Sequence, residues 1–324
     1  MSYLYRKRMK NKCLYCYDTL EGEADFHKKC SQSFFGAATP PQVPYAIDQM
    51  SELARQIIDR SIAVTGVQPK LSMSVVKEAQ ESANTRLTVV GALGGQYIFK
   101  PPSNQFPEMP ENEHVTMRIA EAYGIRVVPS SLIRLASGEL SYITKRVDRT
   151  ERGEKVHMLD MFQITEAYDK YKSSMEKVGK AIHSYSDNTL LDKVLFFELS
   201  LFCFLTGNND MHLKNFSMIK GPSGWVLAPA YDLLNVAIVF PEDTEELALT
   251  LAGKKKKLRR EHFEQLGEGL ELTPKQMEGV FKRMIRKKPL AIEWIDRSFL
   301  SDELKDAYKA VLDTRYEQLK LTAK

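Results

Sequence analysis

The sequence predicts an α+β protein in which a β-rich part precedes a mainly helical part, with a small cysteine- and histidine-containing segment in front of both. Between residues 71 and 144, short runs of β-branched and apolar residues are separated by glycines, a pattern that favours an antiparallel sheet. From His157 onwards, apolar residues recur at the spacing of amphipathic helices. The expected division of the chain is into residues 1–36, 37–149 and 150–324.

The composition is that of a globular protein with a sizeable core. At 324 residues, 43% hydrophobic and 27% charged, the chain is long enough for two or three packed units. Its longest apolar run, 194–205, contains Glu198 and is far shorter than the roughly 20 residues that a membrane span needs. Residues 1–12 are polar and basic, so we expect a cytoplasmic protein without a membrane partner. A net charge of +4 is too small to predict direct nucleic-acid binding.

Three of the four cysteines lie in the first 30 residues, as Cys13-x-x-Cys16 and then His27-x-x-Cys30. Two close pairs of nitrogen and sulfur ligands are typical of a tetrahedral Zn²⁺ site. The zinc is expected to be structural, because so short a segment cannot fold on hydrophobic burial alone. The alternative is a set of reduced surface cysteines, and a disulfide is less favoured in a cytoplasmic chain. Cys203 lies in the apolar run and is expected to be an inert core thiol.

The remaining elements follow from local pattern. Pro40, Pro41 and Pro44 mark a linker before a helical pattern at 50–62. Strands are expected at 71–76, 87–90, 96–100, 125–128, 130–135 and 140–144. Helices are expected at 111–124, 159–167, 170–182 and 190–205, and again from about residue 260. A hairpin around Gly221-Pro-Ser-Gly224 is expected to join strands at 216–219 and 225–227.

Lys100 ends an apolar strand and precedes Pro101-Pro102. A lysine in this place fits a phosphate-binding role, although a lysine that simply extends its amine to solvent is the alternative. Glu113 lies near the start of the predicted helix 111–124, where an acidic side chain favours the helix dipole. It could hold Lys100 in place, or it could be a first-turn charge without a partner.

Asp210 and Asn215 are separated by four residues, which is the spacing of a phosphotransferase catalytic loop. One carboxylate would orient the accepting hydroxyl and take its proton, and the amide oxygen would bind Mg²⁺. Asp232 is a candidate for the second metal ligand. The alternative is that Asn208-Asn209-Asp210 forms a polar turn after a buried helix.

The basic segments have less specific signals. In a chain with the two-lobed organisation of a kinase, the segment Lys145-Arg146-Val147 would cross between the lobes and bind adenine through its backbone. The run Gly253-Lys-Lys-Lys-Lys-Leu-Arg-Arg260 could bind a phosphate-rich partner, but a solvated turn before a helix is favoured.

Seven ordered motifs resemble those of the HipA family of bacterial serine/threonine kinases, the toxin halves of type II toxin–antitoxin systems. They are Gly66-Val-Gln-Pro-Lys-Leu71, Tyr97-Ile-Phe-Lys100, Asn112-Glu-His114, Ile143-Thr-Lys-Arg-Val-Asp-Arg149, Asp160-x-x-Gln163, Gly207-Asn-Asn-Asp-Met-His-Leu-Lys-Asn-Phe-Ser217 and Tyr231-Asp232. The resemblance implies a two-lobed, protein-kinase-like fold with a β-rich small lobe and a helical large lobe.

The resemblance also implies roles for individual residues. Asp210 would be the catalytic carboxylate, and Asn215 and Asp232 would bind Mg²⁺. Lys100 would contact the phosphates of ATP, and the backbone of residues 145–147 would hold adenine. His212 would shape the catalytic loop or touch phosphate, with a purely structural imidazole as the alternative.

The loop at Gly66, Val67 and Gln68 would cover the ATP phosphates. Family members phosphorylate a serine just before this glycine, which expels the loop. Here the nearby hydroxyls are those of Ser61 and Thr65, and the sequence does not choose between them.

The expected partners also come from the resemblance. They are a DNA-binding antitoxin similar to HipB, a protein substrate such as an aminoacyl-tRNA synthetase, and a small protein that stands in for the amino-terminal subdomain of longer HipA proteins. Two other functions remain open. One is a pseudokinase that acts as a binding module in a transcriptional complex. The other is a small-molecule or lipid kinase, which the Asp-x-His-x-x-Asn form of the loop allows.

Overall fold

The computed structural model describes residues 12–50, 52–53, 70–77, 85–90, 94–103 and 105–321. The chain divides into two compact units. The first unit comprises residues 1–114, 128–149 and 297–299, and the second comprises residues 115–127, 150–296 and 300–324. Across the described ranges, every helix is too short or too polar to cross a bilayer.

The first unit is built on a five-stranded antiparallel sheet. Its strands are β1 (Leu71–Lys77), β2 (Thr85–Val90), β3 (Tyr97–Lys100), β4 (Ser130–Arg134) and β5 (Leu140–Lys145). Their order is β2-β1-β3-β5-β4, so β3 lies in the centre, between β1 and β5. Alternate residues such as Leu71 and Met73 are buried in one apolar cluster, as expected for a sheet with one covered face. The predicted antiparallel sheet is confirmed.

The first helix in the described part of the chain, α1 (Lys28–Phe35), covers part of this sheet. It ends at Gly36, whose φ of +75° is the left-handed conformation of a helix C-terminus. Phe34 is 1% exposed and belongs to the same apolar cluster as Phe99 and Ile143. Burying a side chain of this size contributes about 1.5–3 kcal/mol. The cysteine- and histidine-containing segment therefore shares the hydrophobic core of the sheet.

Helix α2 (Met109–Ala122) carries Glu113 in its first turns. The predicted strand at 125–128 is wrong, because Val127 forms only an isolated bridge with Ala230. Pro129 follows at once and has no N–H group with which to continue a ladder.

The second unit combines a three-stranded antiparallel sheet with residues 115–122 of α2 and seven further α-helices in its described residues. Its strands, in spatial order, are β6 (Met158–Asp160), β7 (Ser217–Gly221) and β8 (Gly224–Leu227). Its helices are α3 (Met161–Ile164), α4 (Met175–Tyr185), α5 (Thr189–Leu205), α6 (Val236–Val239), α7 (Arg260–Gly269), α8 (Pro274–Arg297) and α9 (Asp302–Gln318). The apolar run 194–205 lies in α5 and is buried almost all round, as predicted for a core helix.

The predicted helix at 159–167 is replaced by β6 and the short helix α3. Asp160 ends β6, and its side chain accepts a 2.8 Å hydrogen bond from the backbone N–H of Gln163. Gln163 Oε1 accepts a 3.1 Å hydrogen bond from the Asp160 N–H in return. The motif Asp160-x-x-Gln163 is thus a capping box that starts the helix. Because Asp160 pairs with Ser217 on β7, the box also fixes the strand that leaves the candidate catalytic loop.

The predicted hairpin between β7 and β8 is confirmed. Gly224 has a φ of +110°, and a Cβ atom there would lie 2.1 Å from Asp187 Oδ2. The Asp187 carboxylate accepts a 2.6 Å hydrogen bond from the Trp225 N–H at this point. Only glycine fits, and β8 then leads the chain towards Asp232.

Candidate functional site

Lys100 and Glu113 form a buried ion pair in the first unit. Lys100 Nζ lies 2.8 Å from Oε1 and 2.9 Å from Oε2 of Glu113. The two side chains are 9% and 1% exposed. Charges that are buried to this extent are tolerated only when they are paired with good geometry. The pairing that the sequence left open is therefore present, and it joins the end of β3 to the start of α2.

Lys100 also lies above an aromatic ring of the neighbouring strand. It faces Tyr142 on β5, and its Nζ is 5.5 Å from the centre of the Tyr142 ring. The electron-rich ring face favours a cation there. The ammonium group is thus oriented by a carboxylate and a ring that both belong to the first unit.

The candidate catalytic loop follows α5 in the second unit. Gly207 turns the chain with a φ of +68°, and a Cβ atom there would lie 2.7 Å from Asn235 Oδ1. Asn208 and Asn209 are buried beyond this turn. Asn208 Oδ1 accepts a 3.3 Å hydrogen bond from the Asp210 N–H, and Asn209 Nδ2 donates to Asp243 Oδ2 at 3.0 Å. The two asparagine side chains therefore stabilise the turn before Asp210, as the polar-turn alternative predicts.

Asp210 and Asn215 are joined across the loop. Asn215 Nδ2 donates a 3.0 Å hydrogen bond to the backbone carbonyl of Asp210, and this bond fixes the orientation of the amide. The amide oxygen Oδ1 therefore points away from the Asp210 carbonyl. His212, which lies between the two residues in sequence, is buried, and its backbone N–H donates to the Asp210 carbonyl at 2.8 Å.

Asp232 stands next to a tyrosine that is tied to the end of this loop. Tyr231 Oη donates a 2.9 Å hydrogen bond to the Lys214 carbonyl and lies 2.5 Å from Ser217 Oγ. Burial raises the pKa of Tyr231, so the hydroxyl remains a neutral donor. Asp232 itself has a φ of +60°, which is uncommon for a residue other than glycine. The amide of Asn215 and the half-buried carboxylate of Asp232 are hard oxygen ligands, which fit Mg²⁺.

Tyr171 is a site residue that the sequence did not predict. Its hydroxyl donates a 2.7 Å hydrogen bond to Asp210 Oδ1, and its ring packs edge-on against His212 at 5.0 Å. Burial and the nearby Asp210 charge raise the pKa of Tyr171, which keeps the hydroxyl protonated. The sequence placed Tyr171 in a helix at 170–182, whereas α4 begins only at Met175.

Two backbone N–H groups of the segment proposed to bind adenine already donate hydrogen bonds within the first unit. The N–H of Lys145 donates to the Pro129 carbonyl at 3.0 Å, and the N–H of Arg146 donates to the Gln96 carbonyl at 2.9 Å. Any backbone N–H contact to adenine from this segment would therefore have to come from Val147.

The Arg146 side chain is held by Asp148. Its Nε and Nη2 donate to the two carboxylate oxygens of Asp148 at 2.9 and 2.8 Å. Burial alone would raise the pKa of Asp148. The hydrogen bonds and charge of Arg146, together with the charge of Arg149, outweigh that effect and lower the pKa below its ordinary value.

Two other predictions have different outcomes. The phosphate-covering loop and its phosphorylation site stay predictions, because Gly66, Val67, Gln68, Ser61 and Thr65 lie outside the described residues.

The basic run at 253–260 forms a turn before α7, where several of its charges are paired. Lys255 lies 3.0 Å from Glu245, and Arg260 pairs with Glu264 and Glu278 at 2.8 and 2.6 Å. This arrangement favours the solvated turn.

The structure brings the four predicted zinc ligands together. One ligand atom from each of Cys13, Cys16, His27 and Cys30 lies within 4.8 Å of all the others. His27 Nδ1 is 3.4 Å from Cys16 Sγ and 3.8 Å from Cys30 Sγ. A tetrahedral zinc site with ordinary bond lengths has ligand–ligand separations of about 3.5–3.8 Å. The geometry therefore fits Zn²⁺.

Neighbouring contacts also suit a metal. His27 Nε2 lies 3.1 Å from the Thr19 carbonyl, which favours a proton on Nε2 and turns the Nδ1 lone pair towards the sulfur atoms. Burial raises the pKa of the Cys16 and Cys30 thiols, and the charge of the neighbouring Cys13 raises it further. A divalent cation would compensate the negative charge of the thiolates, because metal binding favours their deprotonated form.

Comparison with known proteins identifies the family. The model of the HipA-like C-terminal domain matches residues 62–292, which is well over half of the chain. A Haemophilus influenzae protein named "Putative kinase" is 29% identical over 65% of this chain. Kinase Y4dM of Sinorhizobium fredii, also named as putative, is 31% identical over 66% of this chain, and the serine/threonine-protein kinase toxin HipA of Shewanella oneidensis is 26% identical over 59%. The chain spans 63%, 54% and 46% of these relatives' own lengths.

Solved structures agree on the fold. HipA in the complex of HipA, HipB and operator DNA from Shewanella oneidensis MR-1 matches with a TM-score of 0.66 and 22% identity, over 86% of this chain and 72% of that chain. The Helicobacter pylori proinflammatory kinase CtkA matches with a TM-score of 0.51 and 16% identity, over 76% of this chain and 90% of that chain. These likenesses show the two-lobed, kinase-like α+β fold that the sequence predicts. The chain belongs to the HipA-like C-terminal domain family.

Proposed function

We propose that this protein is an ATP- and Mg²⁺-dependent serine/threonine protein kinase of HipA type. The observation that carries the proposal is the buried, bidentate ion pair between Lys100 and Glu113. A buried ion pair is weak evidence for stability, because the desolvation of both charges offsets their attraction. A functional role is therefore favoured, and a lysine–glutamate pair of this kind is required for phosphate alignment in protein kinases. The named kinases among the relatives support the same reaction class.

The proposed reaction assigns a separate task to each side chain. Asp210 orients the acceptor hydroxyl and takes its proton while the hydroxyl oxygen bonds to the γ-phosphorus of ATP. The bond between this phosphorus and the β-phosphate oxygen breaks, and ADP leaves. Lys100 binds the phosphates, and Val147 would contribute the backbone N–H for adenine. Most of the rate enhancement then comes from positioning and electrostatics.

Two metal ions belong to the proposal. Asn215 and Asp232 would hold Mg²⁺, which supplies positive charge to the triphosphate when bound. Cys13, Cys16, His27 and Cys30 would hold a structural Zn²⁺. His212 would maintain the shape of the catalytic loop through its backbone bond to Asp210 and its contact with Tyr171.

The biological setting is proposed by likeness alone. HipA of Shewanella oneidensis is named as a kinase toxin and has been solved with HipB and operator DNA. By analogy, this chain would be the toxin of a toxin–antitoxin module and would be restrained by a HipB-like antitoxin. A small protein similar to the HipA amino-terminal subdomain, and an aminoacyl-tRNA synthetase as substrate, are the further partners that we propose.

Product identification tests the proposal. The protein is incubated with γ-labelled ATP and Mg²⁺ in a mixture of proteins, phosphoinositides and small metabolites, beside Asp210→Ala. We expect label on protein serine or threonine with the wild type and a loss of a few orders of magnitude with the variant. Label on lipid or metabolite alone would replace the protein-kinase assignment. Binding of ATP without any transfer would indicate a pseudokinase.

A further inference from the structure

The cysteine- and histidine-containing segment touches the residues next to the Lys100–Glu113 ion pair. Tyr17 directly follows Cys16, and its backbone N–H donates to the Cys13 carbonyl at 2.9 Å. Its side chain is 2% exposed. The hydroxyl lies 2.8 Å from Nδ1 of His114, the residue after Glu113 in α2. The turn that carries the first two cysteines is thus hydrogen-bonded to the turn of helix that carries the glutamate.

Tyr17 is held in a conformation that it would not adopt alone. Its φ of +64° is left-handed, which costs a residue with a side chain of the order of 1–3 kcal/mol. The ring packs edge-on against His114 and Phe299, with centroids 5.2 Å away in both cases. Arg297 Nη2 donates to the Cys16 carbonyl at 3.0 Å. These contacts, together with the convergence of the four Cys and His side chains, hold the turn at residues 13–17 in place.

A second contact reaches the strand of Lys100. Phe34 lies one turn after Cys30 in α1, and its ring centre is 5.9 Å from that of Tyr97. Tyr97 begins β3, and Lys100 ends it. The same small segment therefore packs against β3 through Phe34 and against α2 through Tyr17. Cys13, the first of the four ligands, closely precedes Tyr17 in sequence, and Cys30, the last, closely precedes Phe34.

We propose that Tyr17 is a positioning residue for the Lys100–Glu113 ion pair, and that metal binding at the four Cys and His ligands supports nucleotide binding through the Tyr17–His114 contact. Without the metal, the turn at Cys13 and Cys16 loses its coordinate bonds to His27 and Cys30 and retains hydrogen bonds such as that from the Leu14 N–H to the Asp25 carbonyl at 2.9 Å. Tyr17 can then relax to an ordinary backbone conformation, which withdraws its hydroxyl from His114. The first turns of α2 lose an anchor, and Glu113 no longer holds Lys100 in one place. The nucleotide part of this inference rests on the proposed function.

Tyr17→Phe tests the inference, because it keeps the ring and removes only the hydroxyl. Tyr45→Phe is the matched control, since the Tyr45 hydroxyl lies at a longer 3.4 Å from Thr88 Oγ1 in the same unit. We expect Tyr17→Phe to retain its zinc and to bind Mg²⁺-ATP about fivefold more weakly, as for the loss of one hydrogen bond. Removing the metal should weaken ATP binding in the wild type and should have a smaller further effect in Tyr17→Phe.

A measurement without nucleotide separates this inference from the proposed function. We expect amide hydrogen exchange in residues 109–114 to be faster in Tyr17→Phe than in the wild type and in Tyr45→Phe. Unchanged exchange there would overturn the positioning role. Unchanged ATP affinity in Tyr17→Phe, alongside a large loss in Lys100→Ala, would overturn the coupling to nucleotide. If Lys100→Ala binds ATP as the wild type does, the proposed role of Lys100 fails, and the exchange measurement still decides the role of Tyr17.

Discussion

The Tyr171 hydroxyl donates a 2.7 Å hydrogen bond to Oδ1 of Asp210. This bond engages one oxygen of the carboxylate and fixes its rotation, so that the other oxygen has a defined direction. Tyr171 is 37% exposed, and its ring also lies against His212. A residue from the loop before α4 therefore sets the orientation of the group that we propose as the catalytic carboxylate.

Tyr171→Phe is expected to lower kcat about tenfold with little change in the KM for ATP, because it removes one hydrogen bond to a charged group and leaves the ring. Steady-state phosphotransfer kinetics measure both constants. Tyr168→Phe is the control, because Tyr168 lies three residues away and is fully exposed. A KM increase without a change in kcat would place Tyr171 in nucleotide binding instead.

The Lys100–Glu113 pair should matter more for ATP binding than for the stability of the fold. Glu113→Leu alone leaves a buried unpaired lysine and should destabilise the protein by about 3–5 kcal/mol. Adding Lys100→Met should restore most of that loss, because buried ion pairs can be replaced by apolar residues with little net effect. The double variant should nevertheless bind ATP far more weakly than the wild type. Denaturant unfolding and calorimetry measure the two effects, and a double variant that binds ATP normally would remove the pair from the proposed site.

Glu111 should make stability depend on pH. Burial, with a contribution from Glu108, raises its pKa from 4.5 to about 8. Between these values the folded state keeps a proton that the unfolded state has released, so stability falls as the pH rises from about 4.5 to 8. The loss could reach about 5 kcal/mol, at about 1.4 kcal/mol for each pKa unit.

Glu111→Gln stays neutral at every pH, so it should match the wild type near pH 5 and exceed it in thermal stability at pH 8. Glu303→Gln, at an exposed position on α9, is the control and should show no such gain. A wild type whose stability is the same at both pH values, or a Glu111→Gln variant that is less stable at pH 8, would contradict the argument.

The Cys and His cluster should bind metal tightly enough to survive purification. We expect about one equivalent of zinc per chain in protein prepared without chelator, and little or none in Cys13→Ser. Cys203→Ala should retain the zinc, because Cys203 is buried in α5 and is not one of the four clustered ligands. Metal analysis by mass spectrometry gives the stoichiometry. Protein that contains no zinc, or Cys13→Ser that keeps it, would contradict the site.

The sequence predicted those parts of the fold that local pattern determines. The sheet strands were recognisable because alternate residues such as Leu71 and Met73 face one core. The pairing of Lys100 with Glu113 could be anticipated, since the lysine ends one element and the glutamate begins the next. The clustering of the Cys and His side chains was predicted from spacing alone, because each close pair can face one ion.

The missed features depend on contacts between distant residues. Tyr171 reaches Asp210 over 39 positions, and nothing in its own neighbourhood marks it as a site residue. The helix that was expected to include it starts later because Ser174 is the N-cap, whose hydroxyl accepts a 3.1 Å hydrogen bond from the Lys177 N–H. Tyr17 and His114 are 97 positions apart, so their contact is a property of the folded unit.

The most direct test of the central claim is the intact mass of phosphatase-treated protein after incubation with Mg²⁺-ATP, for the wild type beside Asp210→Ala. The account predicts that the wild type gains the mass of one or more phosphoryl groups and that the variant gains none. Peptide mapping would then decide between Thr65 and Ser61. Equal gains in both proteins would contradict the role of Asp210. No gain in the wild type, with or without the proposed amino-terminal partner, would contradict the kinase assignment.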